Sequence, residues 1–336
     1  MSSFLSSFGP RAWPGARAQL AGSLLALVLL ALLPRVLNGY GVQVVMIGFY
    51  YVLLGVSWNL LAGYTGQFSL AQHAFATIGG YTSAAVVLAL HGPLPLGILA
   101  GVLAAAVLGY GLGWLTLGTR GVYFAIATWA FAESTRILLT INYTITRGDM
   151  GLPAPFLFDS PDPTPAYELF LGAAAGSVVL VAFLLRTKLG YRMQAIRDDQ
   201  ELAAAAGIDV VACKRSVFVV STGLAGLAGA LYGHAVGLLS PGQADFSQMA
   251  FIVIAVVLGG FRTLSGPVVG ALLAQGVAEL LRFSAEARLI AFALLVLVIM
   301  RVYPAGVVGL VRALASRARL LLGKAGRERH RAAPAV

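Results

Sequence analysis

Charged residues are scarce in this sequence, and this scarcity limits the classes of protein to which the chain can belong. Only 11% of the 336 residues are Asp, Glu, Lys or Arg, whereas a soluble domain carries about a quarter. Hydrophobic residues make up 59%, and the mean hydropathy is +0.87. Apolar runs long enough to cross a bilayer as a helix recur along the chain. The composition excludes an ordinary soluble domain and predicts an all-α, polytopic transmembrane helical bundle.

Cysteine and histidine are also rare. Cys213 is the only cysteine, which excludes an intramolecular disulfide and a cysteine metal cluster. The histidines lack the spacing of metal ligands, and the sequence has no phosphate-binding Gly-rich loop and no nucleophile elbow. We therefore expect no metal, no cofactor and no enzymatic activity. Any energy source would have to come from a partner or from an ion gradient.

The chain is basic, with 23 Lys and Arg against 13 Asp and Glu and a net charge of +10. The positive residues cluster in a charged island at 186–215 and in a tail at 312–331. This distribution is typical of a membrane protein that needs charge for orientation, so we expect no nucleic-acid partner. The tail either contacts anionic lipid headgroups or is a solvated topology anchor.

Ten apolar segments are predicted to enter or cross the membrane. They lie at about 19–33, 42–62, 68–90, 94–117, 121–141, 166–186, 214–238, 248–261, 266–283 and 288–303. The first lacks an Ala-x-Ala cleavage site and is interpreted as an uncleaved anchor. Segment 248–261 would span about 21 Å as a helix, less than a hydrocarbon core of about 30 Å, so broken or re-entrant segments are expected.

The charge of the loops predicts their orientation. The island carries six Lys or Arg and the tail after Pro304 carries seven, whereas the connection 142–165 carries one. The positive-inside rule then places the island and the tail in the cytoplasm and 142–165 outside. Ten crossings put both termini in the cytoplasm of a cell (inner) membrane. The predicted parts are a cytoplasmic segment 1–18, a permease domain 19–303 with a loop 187–213, and a basic cytoplasmic tail 304–336.

The island contains a short sequence with helix start and stop signals. Asp198 is predicted to cap a helix, with Glu201 completing a capping box three residues later. Alanines follow, and Gly207 is predicted to end the helix. A small-residue helix of roughly two turns can lie in a groove of another protein, or it can simply be a solvated connector.

Polar residues interrupt the apolar segments in several places. The stretches 63–69 and 259–267 are rich in glycine, which indicates either broken helices along a translocation path or tight turns with close helix packing. Glu133 and Arg136 share a helix face near mid-membrane, as Glu279 and Arg282 do in a later segment. Glu133 lines a path, contacts a partner permease or makes an interhelical hydrogen bond. These alternatives are left open.

Four further polar residues cluster around the second and third segments, namely Asn59, Gln67, Gln72 and His73. A zwitterion with an apolar side chain needs a few hydrogen-bonding groups on a mostly apolar wall, and these residues can provide them. They can equally tie irregular backbone together.

Five sequence blocks follow one another along the chain. They are Trp58–Phe75, Gly121–Thr128, Arg147–Leu152, Gly190–Gly207 and Gly259–Gly306. Together they resemble the permease subunits of high-affinity branched-chain amino acid ABC importers, and within these the LivM half of the permease pair. The resemblance covers residues 42–310.

The resemblance implies a mechanism and a set of partners. A binding protein outside delivers an amino acid to a pair of homologous permeases, and two cytoplasmic ABC ATPases drive the transport. The implied ATPase-coupling residues are Arg197, Asp198, Asp199, Glu201, Ala203 and Gly207. Asp199 and Glu201 would make polar contacts with the ATPase, while Ala203 and Gly207 would allow close approach. The implied translocation-path residues are Asn59, Gln67, Gln72, His73 and Glu133.

One position departs from the family pattern, and two other functions compete with this one. The docking motif of ABC importers often reads Glu-Ala-Ala with a glycine four residues on, whereas here Leu202 replaces the middle alanine. Family members also transport urea and short amides, so the substrate stays open. An ion-driven secondary transporter would be expected to carry more intramembrane carboxylates. A structural scaffold would not need the polar glycine-rich stretches.

Overall fold

The protein is described by a computed structural model that covers residues 26–119, 121–158, 160, 162–282, 290, 294, 301 and 306–311. The predicted segments 1–18 and most of 304–336 lie outside these residues. The tenth apolar segment, 288–303, also lies outside them except at three positions.

The described chain is a helical bundle. Its helices, in chain order, are α1 Ala26–Arg35, α2 Gly39–Ala62, α3 Gln72–Leu90, α4 Leu94–Thr116, α5 Val122–Ile141, α6 Tyr143–Thr146, α7 Thr164–Arg186, α8 Lys188–Asp198, α9 Gln200–Ala205, α10 Val210–Val236, α11 Phe246–Gly259 and α12 Gly266–Leu280. A 3₁₀ turn, Leu33–Arg35, forms the end of α1, and two further 3₁₀ turns lie at Gly148–Met150 and Pro241–Ala244. The strands β1 Leu152–Pro153 and β2 Leu238–Leu239 pair antiparallel.

Six of the described helices are long and apolar enough to cross a membrane. They are α2, α3, α4, α5, α7 and α10, and they correspond to the second to seventh predicted segments. The prediction of an all-α, polytopic membrane bundle is therefore confirmed. The count of ten crossings is not confirmed, because α11 and α12 are shorter and the first and last segments are only partly described.

Helix α2 is the centre of the bundle. Every residue from Val52 to Ala62 is buried, which fits a helix that is apolar all round and enclosed by others. It packs against α7, α10 and the pair α11 and α12. The two short helices α11 and α12 lie beside α2 as an antiparallel hairpin. Asn59 of α2 makes hydrogen bonds to the backbone of the turn that joins them.

Close packing through glycine joins α3, α4 and α10. A Cβ on Gly229 would overlap the carbonyl oxygen of Ala76, and a Cβ on Gly79 would overlap the backbone of Gly226. A Cβ on Gly101 of α4 would in turn overlap the carbonyl oxygen of Gly79. Small residues let helix backbones approach this closely in membranes.

The loops gather at the two ends of the bundle as the alternation of segments predicts. Residues 65–68, Thr119, Gly121 and residues 196–200 line one cavity, and we call this end the island end. At the opposite end β1 pairs with β2, and a second cavity is lined by residues 156–158, 160 and 162–163 together with Gly39 of α2. Which end faces the cytoplasm is a prediction from charge.

Candidate functional site

The short helix predicted in the island exists as α9, but its cap differs from the prediction. The Oδ1 atom of Asp199 accepts hydrogen bonds from the backbone N–H groups of Glu201 at 2.9 Å and Leu202 at 3.0 Å. The prediction that Asp198 is the N-cap was therefore wrong. Asp198 is the last residue of α8, and its carboxylate accepts from Arg197 at 2.7 Å. Because α8 runs through Asp198 and the cap is Asp199, Leu202 rather than Glu201 occupies the third helical position, and the predicted capping box does not form.

The end of α9 agrees with the prediction. Gly207 has a φ of +83°, in the left-handed region that favours glycine. Its N–H donates to Ala204 at 2.9 Å, and the N–H of Ile208 donates to Ala203 at 3.1 Å. These are the two bonds of a Schellman motif, which satisfies the last carbonyls of the helix.

Helix α9 offers an open surface to a partner. Ala203 is 4% exposed, and its side chain faces the bundle, whereas Leu202 is 67% exposed. A Cβ built on Gly207 would meet no atom within 4 Å. The leucine that departs from the family pattern therefore points outward, beside an unobstructed glycine.

The island is tied to the membrane helices by two contacts that the sequence interpretation missed. The ammonium of Lys214, which is 6% exposed, donates to the side chain of Gln200 at 2.9 Å and so links α9 to α10. Arg197 packs over Gly66, where an added Cβ would lie 3.5 Å from the Arg197 Cγ. A lysine near the start of an apolar helix was the available signal for the first contact. These groups line a cavity of about 220 Å³ at the island end.

The glycine-rich connection after α2 is non-helical, and the bundle covers it. The indole of Trp58 donates to the carbonyl of Ser69 at 2.8 Å, and the N–H of Leu70 donates to Thr128 of α5 at 3.0 Å. Gln67 is 5% exposed and lies within this connection, where its side chain accepts from Thr65 at 3.4 Å. Irregular backbone at membrane depth is tolerated where protein covers it in this way.

Asn59 holds the hairpin of α11 and α12 against α2. Its Nδ2 donates to the carbonyl of Thr263 at 3.0 Å, and its Oδ1 accepts from the N–H of Arg262 at 3.2 Å. Asn59 is 2% exposed, so both of its polar atoms serve this tie in the bundle interior.

Gln72 joins three helices. Its Nε2 donates to Ser57 of α2 at 2.8 Å and to Ser221 of α10 at 2.6 Å. Its Oε1 is buried with no hydrogen-bond partner among the described residues. Gln67 lies toward the island end, while Asn59 and Gln72 bind different neighbours. The structure therefore does not bring the predicted path residues into one site.

Two of them, His73 and Glu133, are near enough to interact electrostatically. His73 is 1% exposed, and its helix α3 packs against the 3₁₀ turn Pro241–Ala244, which comes from the opposite end. Glu133 is held by Arg136, whose Nε donates to the two carboxylate oxygens at 3.0 and 3.1 Å. Electrostatic interactions connect His73, Glu133 and Asp245. We call His73, Glu133, Arg136 and Asp245 the mid-bundle charge cluster.

Asp245 was missed by the sequence interpretation. It caps α11 by accepting from the N–H of Ser247 at 2.8 Å, and it interacts electrostatically with Arg136. Its position before an apolar run was a helix-start signal. Only the tertiary fold brings it beside α5. Among the described residues there is no group of three or more potential metal ligands.

Comparison with known proteins places the chain in a family. Residues 40–302 match the family described as "Branched-chain amino acid transport system / permease component". The chain is 31% identical to the high-affinity branched-chain amino acid transport system permease protein LivM of Escherichia coli (strain K12), over 86% of this chain and 75% of that protein.

More distant relatives are also permeases. LivH of the same strain is 26% identical over 79% of this chain and 93% of that protein. The fructose import permease protein FrcC of Rhizobium meliloti is 29% identical over 52% of this chain and 50% of that protein. None of the solved structures compared with the chain is a match. The helices that can span a membrane and the match over most of the chain lead to one conclusion: this chain belongs to the permease family of branched-chain amino acid transport systems.

Proposed function

We propose that the chain is the membrane-spanning permease subunit of an ATP-driven ABC importer for branched-chain or related hydrophobic amino acids. The observation that carries the proposal is the capped helix α9, presented on the basic island of a chain that belongs to a transport-permease family. The subunit contributes one wall of the translocation path and transmits motion from the ATPases. It is not itself an enzyme.

The proposed assembly contains four kinds of partner. A second homologous permease completes the path, and the similarity of this chain to both LivM and LivH supports a pair of related permeases. Two cytoplasmic ABC ATPases supply energy, because the sequence itself has no nucleotide-binding loop. An extracytoplasmic binding protein delivers the substrate. Lipid surrounds the bundle in the cell (inner) membrane, with both termini in the cytoplasm.

The ATPase-coupling residues have distinct proposed roles. Asp199 caps the start of α9 and Gly207 ends it. Both ends of this short helix are therefore fixed, so that it can transmit motion from the ATPase as a unit. Arg197 and Asp198 form an ion pair at the junction of α8 and α9, above Gly66 of the membrane domain. Glu201 contacts the ATPase, while the buried Ala203 lets α9 lie close against the bundle.

The proposed path runs along α5. Glu133 and Arg136 have side chains 37% and 35% exposed near the middle of a span, and charges in hydrocarbon are expensive. The face that carries them therefore borders a polar path or the second permease rather than lipid. His73 lies behind this face, while Asn59, Gln67 and Gln72 hold the surrounding backbone and helices in place.

The test is reconstitution of the complete importer in vesicles. We expect uptake of leucine, isoleucine or valine that requires ATP and the loaded binding protein. Glu201→Lys is expected to abolish the stimulation of ATP hydrolysis by loaded binding protein, because it reverses a charge on the docking surface. Uptake by this chain without any ATPase would contradict the proposal. Import of urea or short amides with no amino acid import would contradict the proposed substrate class.

A further inference from the structure

The mid-bundle charge cluster has a composition that fits one kind of ligand. Glu133 and Arg136 lie four and seven residues after Trp129, so all three share one face of α5. Asp245 and Phe246 at the start of α11 come to the same place, since Trp129 and Phe246 are in edge-to-face contact with ring centroids 6.2 Å apart. One face therefore presents charges of both signs beside two aromatic rings.

These groups are accessible, although they lie within the bundle rather than at its ends. Trp129 and Phe246 are 46% and 48% exposed, and Asp245 is exposed as well. Glu133 lies near the middle of α5. Charged side chains are unfavourable against lipid tails and in a water-free contact between helices, so this face is expected to border a polar environment.

A second observation points to a ligand in the same place. The Nδ1 atom of His73 is buried with no hydrogen-bond partner among the described residues, although the imidazole interacts with Glu133 and Asp245. Arg136 uses Nε and Nη2 to hold Glu133, and no described residue bonds to its Nη1. The cluster thus retains donor capacity after its internal bonds are made.

We propose that Arg136, Asp245 and Glu133 bind the head group of a zwitterionic α-amino acid during its passage, while Trp129 and Phe246 hold its apolar side chain. This inference rests on the proposed function. The guanidinium is a donor for the substrate carboxylate, and the two acidic side chains are acceptors for its ammonium. The aromatic pair provides an apolar surface next to them. Urea and short amides are uncharged, so a site for them would not need charges of both signs.

The decisive variant is Asp245→Asn. Asparagine caps a helix as well as aspartate does, so the start of α11 is kept while the charge is removed. In vesicles that contain the complete importer and leucine-loaded binding protein, we expect ATP-driven leucine uptake to fall about tenfold or more, as for the loss of a charged contact. Asp245→Glu is expected to restore part of the uptake. The matched control is Glu279→Gln, the acidic member of the other i,i+3 ion pair, which is expected to keep wild-type uptake.

A second variant tests the aromatic wall. Trp129→Ala is expected to lower leucine uptake more than alanine uptake, because only the larger side chain reaches across to the indole. Equal loss for both amino acids would overturn the assignment of the aromatic pair. Wild-type leucine uptake by Asp245→Asn would overturn the head-group site. If the unmodified importer shows no ATP-driven uptake of leucine, isoleucine or valine, then it is the proposed function that fails, and this head-group site fails with it.

Discussion

At the residue scale, the start of helix α9 depends on one carboxylate. Asp199→Ala removes the cap that accepts from Glu201 and Leu202, at a cost of about 1 kcal/mol of helix stability. We expect hydrogen exchange at these two amides to become about fivefold faster. Hydrogen-exchange mass spectrometry of the purified complex measures this change. Asp199→Asn is expected to behave like the wild type.

The neighbouring aspartate provides the control for this prediction. Asp198→Ala removes only the exposed ion pair with Arg197, which contributes little to stability. Exchange at Glu201 and Leu202 should therefore stay unchanged. An equal effect of the two alanine variants would show that the cap is not Asp199.

The two ends of α9 show what sequence reasoning can and cannot give for a single residue. Gly207 was predictable because its positive φ is a local requirement, satisfied within the turn itself. The cap was misplaced by one residue, because Asp198 and Asp199 are equally good capping residues in isolation. The choice between them depends on where α8 ends, and α8 packs on α7 and α10.

At the element scale, glycine sets how closely the helices approach. Gly229→Ala of α10 places a methyl group on the carbonyl oxygen of Ala76, so α3 and α10 must separate. We expect a loss of about 1–3 kcal/mol of stability, as for other overpacked interiors, measured as a lower thermal midpoint of the purified protein.

The matched control is a glycine in α7. A Cβ on Gly176 would meet no atom within 4 Å, so Gly176→Ala is expected to be neutral or to stabilise by about 0.5–1 kcal/mol. If Gly229→Ala also leaves the thermal midpoint unchanged, the close contact between α3 and α10 is wrong.

Asn59 fixes the turn between α11 and α12 to α2 through two hydrogen bonds to backbone groups. Asn59→Leu keeps the volume but leaves the N–H of Arg262 and the carbonyl of Thr263 without this partner. A cost of about 1–3 kcal/mol follows for each buried group left unsatisfied. We expect a lower thermal midpoint and faster proteolysis in the turn between the two helices. Unchanged proteolysis would contradict the tie.

The long helices were predictable from hydropathy because each apolar run is sufficient by itself to cross a bilayer. The turn Pro241–Ala244 was not, because its burial depends on α3 and α5, which lie far away in sequence. For the same reason Glu133 and Arg136 were recognised as a pair, while Asp245 was not recognised as their neighbour. Contacts within one helix follow from spacing, whereas contacts between helices follow only from the assembled bundle.

At the scale of the whole molecule, the proposed function requires one orientation. Helix α9 must face the ATPases in the cytoplasm, and the 3₁₀ turn Gly148–Met150 must then lie outside. In the opposite orientation α9 would lie on the side of the binding protein and could not contact the ATPases. Two exposed residues report on the two ends, since Leu202 is 67% exposed and Met150 is 79% exposed.

The only cysteine in the sequence makes this orientation measurable. Cys213 is buried, and Cys213→Ala removes the background thiol. In that background, a membrane-impermeant maleimide added to intact spheroplasts is expected to label Met150→Cys and not Leu202→Cys. Inside-out vesicles should give the reverse pattern, because the label cannot cross the bilayer. Labelling of Leu202→Cys from outside would place α9 on the wrong face for an ATPase, and coupling through this helix would then be impossible.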